Sequence, residues 1–206
     1  MSDRTGDLQD VVAYYAQGLE SGRLDRGPGA LELARTQVIL ERILPSPPAR
    51  IADIGGGPGR YALWLADRGY HVHLIDPVQA HIQEARAASC DAGVEQLVMA
   101  DTGDARELAL PDASVDVVLL LGPLYHLTSR ADRVRALAEA RRICRAGGVM
   151  VAAAISRFAV DARWPPRRIS GGSGLRRSRR GRPRDGPASQ SDARSGVLHD
   201  GVFPPA

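Results

Sequence analysis

Two acids bracket a run of glycines in the stretch RIADIGGGPGRYALWLADRGYHVHLIDP, residues 50–77. Asp53 is followed by Gly55, Gly56, Gly57 and Gly59, and Asp76 comes 23 positions after Asp53. Glycines without a Cβ let the backbone turn sharply and lie against a ligand, so a strand that runs into them and leaves as a helix makes a nucleotide cradle. An acid at the end of the following strand can accept hydrogen bonds from both ribose hydroxyls. The dinucleotide spacing G-x-G-x-x-G is not met, because the third glycine comes early at Gly59, and Arg60 and Tyr61 stand where packing against a diphosphate favours small residues. A strand-helix turn without a ligand is the plain alternative, and Asp76 is the second feature that speaks against it.

The elements that must position these residues follow from periodicity. Ile51 to Ile54 predicts a short buried strand; Pro58 suits a first helical position, Ala62, Leu63, Leu65 and Ala66 give that helix an apolar face, and Gly69 closes it. His71 to Ile75 predicts the next strand, Val78 to Ala88 a helix, Gln96 to Ala100 a third strand, and Thr102 to Pro111 a polar loop. Val117 to Leu121 is a continuous apolar run, as expected of a central parallel strand covered on both faces. Ser129 with Asp132 marks a helix start, Val134, Leu137, Ala138 and Cys144 its expected buried stripe, Gly147 and Gly148 its stop, and Val149 to Ala154 a fifth strand. Upstream, Leu8 to Leu19 and Leu31 to Leu44 carry apolar residues at helical spacing, the second with Leu33, Val38, Leu40 and Ile43, and Pro45 to Pro48 ends it.

The D-x-G-x-G-x-G run resembles motif I of the class I S-adenosylmethionine-dependent methyltransferases. DARELALP, residues 104–111, resembles that family's D-A-x-x-L-x-x-P segment, and Arg145 to Gly148 its turn before strand five, with Ala146 in place of the usual proline. AYYAQGLESGRL, LELARTQVILERILP and GPLYHL resemble the leader and loop of one small-molecule branch, so the resemblance spans about residues 8–160. It implies an α/β, Rossmann-like doubly wound sheet of five parallel strands in the order 3-2-1-4-5 with helices on both faces, lacking the usual strands six and seven. It also implies three regions: an N-terminal helical cap (1–49), a cofactor-binding domain (50–160) and a tail (161–206).

On this resemblance S-adenosylmethionine is held by Asp53, Gly55, Gly57, Gly59, Asp76, Pro77, Asp104, Ala105, Leu121 and Gly122. Asp104 would accept the adenine amino group and the Ala105 N–H meet a ring nitrogen; Asp101, nearer the strand end, is the competing choice. Tyr14, Tyr15, Glu20, Arg23 and Arg35 would frame the substrate pocket, or else simply pack. Tyr125 would line the acceptor site and His126 act as general base for a hydroxyl or an ammonium, or hydrogen-bond its own loop. Enzymes that methylate base amines carry N-P-P-Y or D-P-P-Y where this chain has GPLY, so Gly122 stands where the amine-accepting side chain would be, that acceptor is missing, and a nucleic-acid substrate is disfavoured. The activity implied is in-line methyl transfer to a small molecule. Its rivals are a cofactor-binding remnant without turnover and a nucleic-acid methyltransferase using the basic tail.

Composition narrows the classes further. With no lysine, 27 arginines and 24 acids, the net charge is +3, but residues 1–160 hold 17 Arg against 20 acids while residues 161–206 hold 10 Arg against 4. The two cysteines, Cys90 and Cys144, lack a partner motif, no secretory leader or membrane-length apolar run is visible, and a reduced cytoplasmic location is expected. His71 and His73 alternate onto one strand face without a neighbouring ligand set, so no metal is expected. From Trp164 the chain is almost wholly Arg, Gly, Pro and Ser, which cannot bury a core and is expected to be disordered. Two origins fit it: a basic arm, since residues 167–184 hold eight arginines and no acid, or an out-of-frame ending of a GC-rich gene. A codon string chosen for VLHDGVFPP reads YFTTAFSH one base on, a phrase like the segment expected there. Truncation after Val160 is expected to leave the affinity for S-adenosylmethionine within about twofold, as read by calorimetry, because the tail lacks the apolar residues to join the core.

Overall fold

The computed structural model describes residues 26–155 together with Ala13, Gly22 and Leu24. Apart from Ala13, the first predicted helix lies outside the described residues, as does everything from residue 156 onward. Chain order is α1 (Gly27–Ile43), β1 (Arg50–Ile54), α2 (Arg60–Ala66), β2 (His71–Asp76), α3 (Gln79–Asp91), β3 (Val98–Thr102), β4 (Val115–Leu120), α4 (Pro123–His126), α5 (Arg130–Ile143) and β5 (Cys144–Ala152). The strands form one sheet in the order β3-β2-β1-β4-β5, and every pairing is parallel. This is the predicted doubly wound order.

Central strands β1 and β4 are buried on both faces, which is why they read as unbroken apolar runs. On one face Leu40, Leu65, Ile82 and Ala85 from α1, α2 and α3 pack with Ile51, Leu74, Val117 and Leu119. On the other, Ala140 and Ile143 of α5 and Leu108 of the β3–β4 connection pack with Ala52, Ile54, Val118 and Leu120. The switch in strand order between β1 and β4 opens a crevice at their carboxyl ends, where ligands of such sheets bind.

Several boundaries differ from the sequence reading. Helix α1 starts at Gly27 rather than Leu31, since Pro28 suits a first turn. Helix α2 starts at Arg60 because Gly59 takes the left-handed conformation (φ 86°) and caps it from outside. Strand β3 lies two positions later than expected, over Val98–Thr102. The expected buried stripe of α5 is corrected: Val134 and Leu137 are exposed, Ala138 is exposed too, and Ala136, Ala140 and Ile143 face the sheet. Small alanines let this helix approach closely. Gly147 and Gly148 do not end α5 but lie inside β5, which begins at Cys144 and shifts register between Val115 and Val117 of β4.

The β3–β4 connection is held by α5. Arg142 donates to the carbonyls of Leu108 (2.8 Å) and Leu110 (2.7 Å) and to Asp112, while Glu139 accepts from the Leu108 N–H at 2.8 Å and pairs with Arg142. The Arg142 hydrogen bond, with help from the Leu108 N–H, pulls the Glu139 carboxyl down to about 2 from an ordinary value of 4.5. A lowered carboxylate contributes stability above its unfolded pKa and loses it as pH falls through the folded one. Glu139→Ala is therefore expected to cost about 1–3 kcal/mol at neutral pH, through the unpaired Leu108 N–H, and Glu139→Gln to flatten the loss of stability between about pH 4.5 and 2. Urea unfolding at stepped pH measures both.

Candidate functional site

The glycine turn is shaped by what surrounds it. The Gly55 N–H donates to the Ile75 carbonyl at 2.6 Å, tying the end of β1 to the end of β2. A Cβ on Gly56 would overlap Asp53 Oδ2 and Leu74 Cδ1, so glycine is needed there for lack of space. At the next position the N–H is turned onto a side chain: Gly57 N donates to Asp76 Oδ2 at 2.9 Å. The other oxygen of Asp76, Oδ1, accepts from Val78 N at 2.9 Å and from His81 Nδ1 at 3.0 Å. With both side chains only 7% exposed, this trio joins the turn to the first residues of α3.

Asp53 is the opposite case. It is 1% exposed and neither carboxylate oxygen has a hydrogen-bond partner among the described residues. Burial, and secondarily the charge of Asp76, pushes its carboxyl up to about 7. A buried acid without donors holds its proton more tightly, and a cation brought beside it would reverse that.

Both acids line one cavity of about 570 Å³ at the carboxyl ends of the strands. Gly55, Gly57, Pro77, Asp104, Ala105, Leu121 and Gly122 line it as well, so those cofactor residues expected from sequence are brought together. Gly59 lies apart from this lining and caps α2. Tyr125 and His126 line the same cavity, their rings 4.7 Å apart and tilted by 56°. Of the five pocket residues expected from the leader, Tyr14, Tyr15, Glu20 and Arg23 lie outside the described residues. Arg35 is exposed on α1 and absent from the lining, whereas Glu32 and Thr36 on the same helix are part of it.

Asp101 and Asp104 separate cleanly. Asp101 Oδ2 meets His73 Nε2 at 2.8 Å and Oδ1 accepts from Arg86 at 3.1 Å, away from the cavity. Asp104 lines the cavity and is gripped by Arg106, which donates from its backbone N (2.8 Å), Nε and Nη2 (2.7 Å) and reaches Asp132 of α5 with Nη1 at 3.2 Å. The pairing with Asp104 raises the Arg106 pKa further, and this guanidinium stays charged despite near-complete burial.

Sequence reasoning missed four residues here. His81 stands outside any motif and meets Asp76 from five positions away; Arg106 fills an unspecified position of DARELALP, gripping Asp104 two positions back and reaching Asp132 26 positions on. Glu32 and Thr36 did leave a signal, a polar pair one helical turn apart on the apolar α1. Among the described residues no cluster of His, Cys, Asp and Glu could hold a metal, and no helix is long and apolar enough to cross a membrane.

Comparison with known proteins places this geometry. A family model described as a methyltransferase domain matches residues 52–152. The 27-O-demethylrifamycin SV methyltransferase of Amycolatopsis mediterranei (strain S699) is 33% identical over 150 residues, 71% of this chain and 53% of that protein. A ubiquinone/menaquinone biosynthesis C-methyltransferase of Acidiphilium cryptum (strain JF-5) is 36% identical over 123 residues, 59% of this chain and 48% of that one. The chain spans about half the length of these curated relatives. Among solved structures, Haemonchus contortus phosphoethanolamine N-methyltransferase 1, in complex with phosphoethanolamine and S-adenosylhomocysteine, superposes with a TM-score of 0.60 at 23% identity, covering 70% of this chain and 31% of that one. The PH0226 protein from Pyrococcus horikoshii OT3 gives 0.58 at 20% identity, covering 67% and 64%. At such identities the two structures speak for the fold, and the sequence relatives and family model for the kind of domain. With its strand order, glycine turn and paired acids, this chain belongs to the class I S-adenosylmethionine-dependent methyltransferases, and S-adenosylmethionine is the cofactor of that family.

Proposed function

We propose that the chain transfers a methyl group, in line, from S-adenosylmethionine to a small organic acceptor held beside Tyr125 and His126. The observation that carries this reading is one cavity whose lining joins the glycine turn, Asp53, Asp76 and Asp104 with Tyr125, His126 and Leu127. Relatives named for a rifamycin and for quinone biosynthesis support a small-molecule acceptor.

The residues present fit the cofactor. Asp53 is a buried carboxyl with no protein donor, the kind of group that a cationic ligand satisfies. Asp76 receives ribose, the Asp104–Ala105 segment receives adenine, and Pro77, Val78 and Leu121 give the base and sugar apolar walls. When bound, the cofactor supplies an electrophilic methyl group on a sulfonium. Holding an acceptor at attack distance accounts for most of such a reaction, worth up to roughly 7–11 kcal/mol. Tyr125 and Leu127 orient the acceptor, and His126 takes the proton that a hydroxyl or ammonium acceptor must lose.

Two outcomes test this. Asp76→Ala is expected to weaken binding of S-adenosylhomocysteine at least about tenfold in calorimetry, since hydrogen bonds to a carboxylate are worth about 1.5–3 kcal/mol. Equal affinity in the two proteins, or tighter binding of a nicotinamide dinucleotide, would remove the assignment. Labelled methyl transfer to a panel of small hydroxyl, amine and carbon acceptors, with His126→Ala as the comparison, then tests the acceptor half.

Asp53, the buried acid, also sets a pH dependence. A carboxyl raised from 3.8 to about 7 keeps in the fold a proton that the unfolded chain has released. Stability of the ligand-free protein is thus expected to fall by up to ~1.4 kcal/mol per pH unit through that window and to level off above about pH 7. Asp53→Asn should remove the slope in denaturant titrations. Cofactor affinity should move the other way in wild type, rising as pH approaches 7, and become insensitive to pH in the variant.

A further inference from the structure

Asp76 offers less to a ligand than its position suggests. A carboxylate has about four lone-pair sites, two on each oxygen. Oδ1 accepts from Val78 N at 2.9 Å and His81 Nδ1 at 3.0 Å, which fills it; Oδ2 accepts from Gly57 N at 2.9 Å, which fills half of it. With a carboxylate as its partner, His81 Nδ1 is the protonated ring nitrogen. Asp76 and His81 are both buried and both line the cavity, so the ring stands at the ligand's side of the acid. The two backbone donors belong to the glycine turn and to the start of α3, and any side chain at position 81 would leave them in place. The third is supplied by a side chain alone.

We propose that His81 is a specificity-determining residue that makes Asp76 a receptor for one ribose hydroxyl rather than for a vicinal pair. This rests on the reading of Asp76 as the ribose-binding acid. With Oδ1 saturated, Oδ2 has one lone pair for the ligand, and a second hydroxyl finds no further acceptor site on this acid. The sequence expectation that Asp76 accepts from both hydroxyls is narrowed accordingly. Replacing His81 by an apolar side chain reopens Oδ1 and lets the acid take both. Asparagine keeps an N–H donor at the branch point where His81 has Nδ1, and so preserves the division.

The test is calorimetric binding of S-adenosylhomocysteine and of its 2′-deoxy and 3′-deoxy forms to the full-length wild type and to His81→Leu and His81→Asn, each first checked for an unchanged unfolding midpoint. In wild type one deoxy form is expected to lose about tenfold in affinity while the other stays within about threefold of the parent. In His81→Leu the two forms should lose affinity equally, and in His81→Asn the wild-type split should return. Equal losses for the two forms in wild type would overturn the proposal, as would a split that survives in His81→Leu. If His81→Leu unfolds, His81→Asn and the wild-type comparison decide alone. Asp76→Ala separates the two levels: if it leaves the parent's affinity unchanged, the ribose reading has failed, whereas a loss there with no split in wild type overturns only the role of His81.

Discussion

The carboxylate of Asp76 is where the fold becomes a site. The parallel pairing of β1 with β2 brings the ends of these strands side by side, and Asp76 then collects the N–H groups of Gly57 and Val78 and the ring of His81. Without those bonds the glycine turn would have backbone donors aimed at nothing, and the first turn of α3 would lose the acceptor that caps it. Charge-assisted hydrogen bonds of this kind are among the stronger single interactions a small domain makes. The neighbouring Asp53 shows the contrast: equally buried, it has no donor and keeps its proton up to about pH 7. One buried acid is thus tied by three donors, while burial and its neighbour's charge keep the proton on the other.

The opposite wall is assembled by a second set of charged contacts. Arg106 grips Asp104 in the β3–β4 connection and reaches Asp132 at the start of α5, and Glu139 with Arg142 fastens the same connection further along. This segment has no long helix of its own to pack on the sheet. Arginine suits the task because its planar fork satisfies several acceptors at fixed angles. The Asp104 part of the cavity lining is consequently positioned by α5, the helix that leads into the last strand.

What could be read from sequence was what short-range stereochemistry controls. The glycine turn, the acid that ends β2, the apolar run of β4 and the loop GPLYHL are each dictated by neighbours in the chain, and their order implied the strand order seen. The buried side of α5 was misread because large apolar residues were given priority, whereas this helix lies close to the sheet through Ala136 and Ala140 and leaves Val134 and Leu137 outside. Gly147 and Gly148 read as a helix stop in the sequence, and a β-bulge calls for glycine just as well. His81 and Arg106 were illegible because their roles are conferred by tertiary partners. Arg35 is expected in the pocket from the resemblance of the leader, yet helical phase turns Glu32 and Thr36 of α1, and not Arg35, to the cavity.

Strand β5 has a consequence of a different kind. It closes the order of strands with nine residues, pairs with β4 on one side, and leaves Met150 exposed. Near its beginning Arg145 meets Asp116 at 2.5 Å, a charged contact that blunts part of the edge. Farther along, among the described residues, the strand's outer N–H and C=O groups form a template on which another extended chain can add. An edge of this kind bears on colloidal behaviour rather than chemistry, since it is the place on a sheet where one copy of a chain can join another strand to strand.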